Sequence, residues 1–221
     1  MRAVLAEGFW DNNAALVGLL GLCPLLAITT SFVNGLALGL ATLSVWVITS
    51  TAISLLRNVL LPAVRIPFAI LVAATLVTCI DLVAHAVFDE LHTALGIFIP
   101  LIVSNCAIVV HAETVATRRS VGIAFASAAA MGFGFLAVLT TLGALRELIG
   151  QGTLFAGLPT LAGEAAASLR LALPFDGVLV AALPPGAFFG LAMLLAVRNL
   201  ITRERPARSA SSGAGAAERA R

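Results

Sequence analysis

Six long apolar runs, separated by short polar segments, dominate the pattern along this chain. The runs cover residues 14–32, 35–55, 66–88, 94–112, 121–145 and 177–200, and almost all charged residues fall between them. A helix that crosses a bilayer needs about 20 mostly apolar residues, so each run predicts one membrane-spanning helix. The pattern therefore predicts an all-α integral membrane protein with six transmembrane helices, forming a single membrane domain over residues 1–203.

Composition and charge support this prediction and add an orientation. The chain is 60% hydrophobic and 11% charged, which is far from the composition of a soluble domain. The first run has no clear small-x-small cleavage site and five more runs follow, so we interpret it as a span and not as a signal peptide. If both termini are cytoplasmic, only Arg146 and Arg170 of the 13 basic residues lie outside. That asymmetry predicts a multi-pass membrane protein with both termini in the cytoplasm.

Two segments do not fit the spans. Residues 204–221, ERPARSASSGAGAAERAR, have no apolar period and predict a disordered cytoplasmic tail. Residues 147–176 are too polar to span, and their glycines and prolines predict an outer loop with a short surface helix. No phosphate-binding loop, dinucleotide fingerprint or CxxC pair occurs in the chain. We therefore expect no nucleic-acid partner and no complete active site on this chain alone.

The two halves of the chain share an ordered set of features. Each half has a cysteine in its first span, a glycine pair in its second span and a leucine-arginine ending to that span. These are Cys23, Gly35, Gly39 and Arg57 in one half, and Cys106, Gly132, Gly134 and Arg146 in the other. Because each half holds three spans, the halves enter the membrane from opposite sides. The pattern predicts two inverted three-helix repeats, over about 14–88 and 94–200.

Helix breakers stand beside both repeated cysteines. Pro24 follows Cys23 directly, and Pro100 lies a few residues before Cys106. Proline has no N–H and clashes with the carbonyl four residues earlier, here that of Leu20 for Pro24. The first and fourth helices are therefore predicted to be broken. Broken helices in a bilayer line a cavity or are buried by protein, and their positive N-termini favour an anionic group near the midplane.

The two cysteines, Cys23 and Cys106, leave several chemistries open. They could form a disulfide, or they could be half of the ligand set of a metal centre, since thiolates prefer soft metals and iron-sulfur clusters. A 2Fe-2S cluster takes four thiolates, so a second, similar protein chain would supply two more. Packing is the alternative, because cysteine behaves as a small apolar residue. The third cysteine, Cys79, has no repeat partner and no breaker, and we interpret it as packing.

Two carboxylates are candidate ion-path residues. Asp81 lies inside the third run, with His85 one turn further along the same helical face. Glu113 lies at the end of the fourth run, close to Arg118 and Arg119. An ionisable residue in a membrane span is a functional candidate by default. A structural ion pair is the alternative for both carboxylates.

Five segments of the chain resemble one known family of membrane proteins. They are GLCPLLAITTS, VRIPFAILVAATLVT, GIFIPLIVSNC, ALRELIGQGTLF and LPPGAFFGLAMLLA. Over about residues 13–202 the chain is similar to the RnfE family, the E-type membrane component of Rnf ion-translocating electron-transport complexes. The resemblance implies a six-helix protein that shares a 2Fe-2S cluster inside the membrane with a homologous, oppositely oriented RnfA-like protein. The family's cluster ligands map onto Cys23 and Cys106.

The resemblance also implies an activity for the whole complex, which is a multisubunit translocase. The family couples electron transfer between ferredoxin and NAD to movement of Na⁺ or H⁺, and the other Rnf components are of the B, C, D and G types. This chain departs from the family at VHAE, where His111 stands in place of a frequent arginine while Glu113 is kept. Three alternatives stay open. They are the D-type component of a sodium-pumping NADH:quinone reductase, an inverted-repeat secondary transporter without iron, and a structural scaffold protein.

Overall fold

The structure is a computed structural model that describes residues 16–87, 92–93, 95–154, 171–172 and 183–202. Its α-helices in chain order are α1 (Leu22–Ile28), α2 (Phe32–Leu56), α3 (Arg65–Val87), α4 (Cys106–His111), α5 (Val121–Gln151) and α6 (Pro184–Thr202). Two short 3-10 helices cover Pro62–Val64 and Ile99–Ile102, and a π-helix covers Ala112–Ala116. Two antiparallel strands of two residues each, β1 (Thr153–Leu154) and β2 (Leu171–Ala172), complete the described part.

Five helical segments of the described part are long and apolar enough to cross a membrane. They are Phe32–Leu56, Arg65–Val87, Ile99–Ala116, Val121–Gln151 and Pro184–Ile201. The all-α prediction and five of the six predicted spans are thereby confirmed. The first run, predicted over 14–32, differs. From residue 16 it consists of turns followed by the seven-residue helix α1.

Helix α5 is longer than the predicted span over 121–145. Arg146 and Glu147 are both buried, so these polar residues continue the helix inside the protein. The helix ends only at Gly152, whose φ of 62° makes a left-handed cap that glycine adopts without strain. The surface helix expected within 147–176 and the tail at 204–221 lie outside the described residues.

Helices α2 and α5 form a closely packed antiparallel pair at the centre of the protein. A Cβ atom built on Gly35 would lie 2.8 Å from the backbone oxygen of Leu139, so the two backbones touch there. Glycine at such points allows helices in a membrane to approach closely. Further along the pair, Trp46 and Phe135 are fully buried and pack edge to face, with their ring centroids 6.2 Å apart. This pair is the frame on which the other elements are placed.

The remaining long helices pack on the outside of this pair. The buried residues of α3 are Ala69, Ala73 and Val77, which recur every four residues and therefore share one face. Helix α6 packs on α5, and a Cβ on Gly190 would lie 2.7 Å from Leu142 Cδ1. Most other positions of α3 and α6 are exposed and apolar. Apolar outer faces of this kind are expected of helices that meet lipid or another membrane protein.

Candidate functional site

Both cysteine-bearing spans are broken, and each break leads directly into a cysteine. In the first span, Leu19 and Gly21 have left-handed backbones with φ of 49° and 75°, and Cys23 lies in the first turn of α1. In the fourth span, Asn105 has an extended backbone, and Cys106 is the first residue of α4. The prediction of two broken helices is confirmed. Each thiol stands in the first turn of a half-helix.

The prolines are not the residues that make the breaks. Pro24 is the third residue of α1, and Pro100 lies inside the 3-10 helix Ile99–Ile102. The first N–H groups of a helix have no intrahelical partner, so a proline in the first turn sacrifices no hydrogen bond. The expected clash of Pro24 with the Leu20 carbonyl is wrong, because Leu20 precedes α1. In the first span the left-handed residues Leu19 and Gly21 turn the chain instead, and in the fourth span Asn105 is extended.

The two breaks meet each other although 85 residues separate them. The backbone N–H of Gly21 donates a hydrogen bond to the Sγ atom of Cys106 at 3.0 Å. A Cβ on Gly21 would lie 2.8 Å from Asn105 Oδ1 and 2.9 Å from the Phe135 ring. Glycine is required here because both the positive φ and the confined space exclude a side chain. The fold therefore joins the segment before Cys23 to the thiol of Cys106.

Asn105 links this meeting point to helix α4. Its Oδ1 atom accepts a hydrogen bond from the Ala107 N–H at 3.0 Å, which caps the helix. The residue is 1% exposed, and its Nδ2 atom is buried without a hydrogen-bond partner. Asn105 is not among the site residues predicted from the sequence. An asparagine directly before an apolar helical segment is a recognised N-cap signal and could have indicated it.

The thiols themselves lie at the surface of the chain. Cys23 and Cys106 are both exposed, although each lies in an apolar run. Among the described residues no group of three or more His, Cys, Asp and Glu side chains could hold a metal ion. A four-thiolate centre on this pair therefore needs ligands from outside the described part of the chain. Cys79 is exposed on α3, so it does not pack into the core as predicted.

Asp81 lies within a small cluster that contains two histidines. Its Oδ1 atom is 3.0 Å from Nε2 of His92, and the two side chains are 41% and 24% exposed. The ring of His85 packs edge to face on the ring of His92, with the ring centroids 4.8 Å apart. The helical spacing predicted His85 as the partner of Asp81 and gave no role to His92. His92, 11 residues further along the chain, also reaches the carboxylate.

Glu113, the second candidate ion-path residue, lies far from Asp81. It is exposed in the π-helix and lines a narrow crevice together with Arg65 and Thr117. Arg65 begins α3, and Asp81 lies on the same helix at a distance of about 24 Å from it, at 1.5 Å per residue. The two carboxylates therefore belong to opposite ends of α3. Neither shares the site of the cysteines.

His111 is a buried bridge between three helices. Its Nδ1 atom is hydrogen-bonded to Ser50 Oγ at 3.0 Å, and its Nε2 atom to Ser127 Oγ at 3.1 Å. Trp46 packs edge to face on the imidazole at 5.8 Å, and His111 is 3% exposed. The residue that stood out only as a departure from the family pattern therefore ties α2, α4 and α5 together.

Arginines at opposite ends of the α2–α5 pair hold the segments that lead into the two long helices. At the end of α5, Arg146 donates to the Leu26 carbonyl at 3.4 Å and to Thr29 Oγ1 at 2.9 Å, at the C-terminal end of α1. At the other end of the pair, Arg57 follows α2 and donates to the Arg119 carbonyl at 2.7 Å, just before α5. Each arginine thus holds the segment that leads into the opposite long helix.

Glu147 completes the contacts at the C-terminal end of α5. Its Oε2 atom accepts hydrogen bonds from the Phe32 backbone N–H at 2.8 Å and from Ser31 Oγ at 3.2 Å. The carboxylate is fully buried and lies at the N-terminus of α2. A negative charge there satisfies free N–H groups and complements the helix dipole. No sequence pattern singled out this residue.

Comparison with known proteins gives one consistent result. The family model of the Rnf-Nqr subunit, a membrane protein, matches residues 1–195. The E subunit of the ion-translocating oxidoreductase complex from Thioalkalivibrio sulfidiphilus is 48% identical over 215 residues, 95% of this chain and 94% of the relative. The protein of that name from Vibrio vulnificus is 46% identical over 222 residues, 100% of this chain and 96% of the relative. That from Pseudoalteromonas atlantica is 48% identical over 202 residues, 89% of this chain and 86% of the relative.

Proposed function

Because the chain belongs to the Rnf-Nqr family of membrane proteins, we propose that it supplies two thiolates to a 2Fe-2S cluster inside an ion-translocating oxidoreductase complex. The chain is a multi-pass membrane component of such a complex, as its relatives at 46–48% identity over nearly their whole length indicate by name. Those names disfavour a secondary transporter. The finer assignment, to Cys23 and Cys106, follows from the geometry of the two breaks.

The observation that carries the proposal is the hydrogen bond from the Gly21 N–H to Cys106 Sγ at 3.0 Å. It joins the start of one half-helix to the thiol that begins the other. Both Cys23 and Cys106 lie at positive helix ends, where a thiolate is favoured. These features fit an anionic sulfur centre better than a pair of packing residues.

The exposure of both thiols supports a centre shared between two chains. Four thiolates are needed for a 2Fe-2S cluster, and this chain offers two at its surface. We propose that a homologous six-helix protein of the RnfA type covers this surface and contributes the other two. When bound, such a cluster accepts and passes on single electrons. Cys23 and Cys106 hold it, and the surrounding apolar spans keep water away from it.

The arrangement of the arginines supports the predicted inverted repeat. Arg57 and Arg146 occupy equivalent places in the two halves, and each donates to the backbone before the opposite long helix. An exchange of equivalent contacts between two halves is expected of a pseudo-twofold axis in the membrane plane. With both termini in the cytoplasm of the inner membrane, Arg57 lies on the inner side and Arg146 on the outer side.

The rest of the activity belongs to the complex. Electron transfer between ferredoxin and NAD requires nucleotide and ferredoxin sites, which we assign to the other Rnf components, of the B, C, D and G types. Asp81 and Glu113 lie toward opposite ends of α3, so they are candidates for the two ends of an Na⁺ or H⁺ path. Arg65, which lines the same crevice as Glu113, lies about 24 Å from Asp81 along α3, which is most of the roughly 30 Å hydrocarbon core.

The proposal is tested by iron and acid-labile sulfide analysis of this protein purified together with its homologous partner. Dithionite reduction should give the EPR signal of a 2Fe-2S cluster in the wild type. Cys23→Ser and Cys106→Ser should each abolish the signal, while Cys79→Ser, the matched control, should keep it. An intact pair without iron, or a signal that survives both ligand substitutions, contradicts the proposal.

A further inference from the structure

We propose that the buried charge of Arg146 acts across the short helix α1 on the cluster held by Cys23, and that it raises the midpoint potential of that cluster. This inference rests on the proposed function, because it needs the cluster. It concerns a cation that is bonded to the opposite end of the helix whose first turn contains Cys23. It gives an electrostatic function to a residue that the proposed function uses only to support the fold.

Helix α1 has the ligand at one end and the arginine at the other. Cys23 is its second residue. Arg146 donates to the Leu26 carbonyl at 3.4 Å, in the last turn, and to the hydroxyl of the C-cap residue Thr29 at 2.9 Å. The six steps from Cys23 to Thr29 span about 9 Å at 1.5 Å per residue. These contacts place the guanidinium fewer than two helical turns along α1 from the ligand.

The surroundings of the arginine are buried and apolar. Arg146 is 3% exposed, and Leu25 and Ile28 on the buried face of α1 are at most 1% exposed. An arginine keeps its positive charge in such a place. A charge that is shielded from water is screened far less than one at the surface. Its field therefore extends over the length of a helix as short as α1.

Glu147 places the opposite charge at the next position of α5. Its carboxylate is also fully buried, and it accepts hydrogen bonds from Ser31 Oγ and the Phe32 N–H at the start of α2. Arg146 is thus bonded to the helix that contains Cys23, whereas Glu147 is bonded to the helix that follows. The two charges have opposite effects on the cluster, and we expect the larger effect from the cation that is bonded to α1.

The sign of each effect follows from the charge that reduction adds. A cluster gains one negative charge when it is reduced, and a nearby cation stabilises that charge whereas an anion destabilises it. Arg146→Gln removes the cation and keeps a side-chain amide that can donate a hydrogen bond, so the midpoint potential should become more negative. Arg146→Lys keeps the charge and should stay close to the wild type. Glu147→Gln should make the potential more positive.

The measurement is an EPR-monitored redox titration of this protein with its homologous partner. Arg57→Gln is the matched control, because Arg57 also donates to a backbone carbonyl, that of Arg119, at 2.7 Å. It follows the C-terminal end of α2, and the helix of about 37 Å separates it from the end at which Arg146 lies. This variant should keep the wild-type potential.

The opposite signs separate an effect of charge from a general disturbance of the fold. If Arg146→Gln leaves the potential unchanged, or if it and Glu147→Gln shift the potential in the same direction, only the inference is overturned. The inference is also overturned if Arg146→Lys shifts the potential as far as Arg146→Gln does. A wild-type pair without iron contradicts the proposed function itself.

A second measurement needs no cluster. With Cys79→Ser and Cys106→Ser, Cys23 is the single thiol of the chain, and it is exposed. Iodoacetamide reacts with the thiolate and not with the thiol. At one fixed pH, Cys23 should be alkylated more slowly in Arg146→Gln than in Arg146→Lys, since no cation then favours the thiolate. Equal rates overturn the inference even where neither variant assembles a cluster.

Discussion

At the scale of single residues, buried polar side chains decide how these spans meet. A bilayer offers no water to satisfy a polar group, so each one must find a partner in the protein. His111 does so with two serine hydroxyls, and Glu147 does so at the start of α2. Both residues join helices that are distant in sequence. They therefore fix how these helices are arranged, since the rest of the helix surfaces are similarly apolar.

The hydrogen bonds of His111 lead to a stability prediction. His111→Leu leaves the hydroxyls of Ser50 and Ser127 without their partner, and hydrogen bonds of this kind contribute about 0.6–2 kcal/mol each inside a membrane protein. We expect the free energy of unfolding in detergent to fall by about 1–4 kcal/mol. Phe189→Leu, at an exposed position of α6, is the control and should change it little.

A combined variant tests the reason for that loss. Replacement of all partners by apolar groups can be nearly neutral, because no polar group is then left unpaired. His111→Leu with Ser50→Ala and Ser127→Ala should therefore recover part of the stability that His111→Leu loses. A combined variant that is less stable than His111→Leu would show that shape, and not polar pairing, sets the importance of this residue.

At the scale of elements, the packing of α2 against α5 differs from one glycine to the next. Some glycines face the backbone of the neighbouring segment, and others face a side chain. A Cβ on Gly35 would meet the Leu139 carbonyl oxygen at 2.8 Å, and one on Gly143 would meet the Ser31 carbonyl oxygen at 2.7 Å. A Cβ on Gly132 would instead meet the tip of the Leu43 side chain. Side-chain tips can rotate away, whereas packed backbones must separate.

This difference predicts an order among three alanine substitutions. Gly35→Ala and Gly143→Ala should lower the unfolding temperature of the purified protein clearly, because each forces α2 and α5 apart. Gly132→Ala should cost little, since Leu43 can change rotamer and alanine favours a helix by about 1 kcal/mol over glycine. Thermal unfolding in one detergent compares them directly. Equal unfolding temperatures for all three variants would contradict the close backbone contact.

The elements also show which parts of the fold the sequence could predict. Spans such as α3 were predictable to within a residue or two, because a bilayer requires a continuous apolar length. The prolines indicated that both spans are interrupted, but neither the place nor the form of the breaks. Pro24 and Pro100 lie inside helical segments, whereas the chain turns at left-handed Gly21 in the first span and is extended at Asn105 in the fourth. The end of α5 was misplaced because buried Arg146 and Glu147 look like loop residues in a hydropathy pattern.

The candidate site was predictable only in part for a related reason. The repeat indicated Cys23 and Cys106 because two equivalent breakers stand beside two equivalent cysteines. The contact between Gly21 and Cys106 spans 85 residues, and no local pattern encodes it. Likewise, His92 bonds Asp81 from 11 residues further along the chain, a separation that helical spacing does not encode. Contacts between distant segments require the fold itself.

At the scale of the whole molecule, the chain presents half of a four-thiolate site at its surface. Two thiols lie at the chain surface beside a shared break, and the described residues provide no third or fourth ligand. The long outer helices α3 and α6 expose apolar faces. At opposite ends of the α2–α5 pair, Arg146 holds the segment that leads into α2 and Arg57 holds the segment that leads into α5. A surface of this kind is complete only against a second membrane protein.

The central claim is that one cluster is shared between this chain and its homologous partner, and native mass spectrometry of the two released from detergent tests it most directly. Iron and sulfide should be bound only in the one-to-one pair, as a single 2Fe-2S unit. Either Cys23→Ser or Cys106→Ser should remove both. The separate chain should carry none. A cluster bound to this chain alone, or a stable pair that carries no iron, would contradict the account.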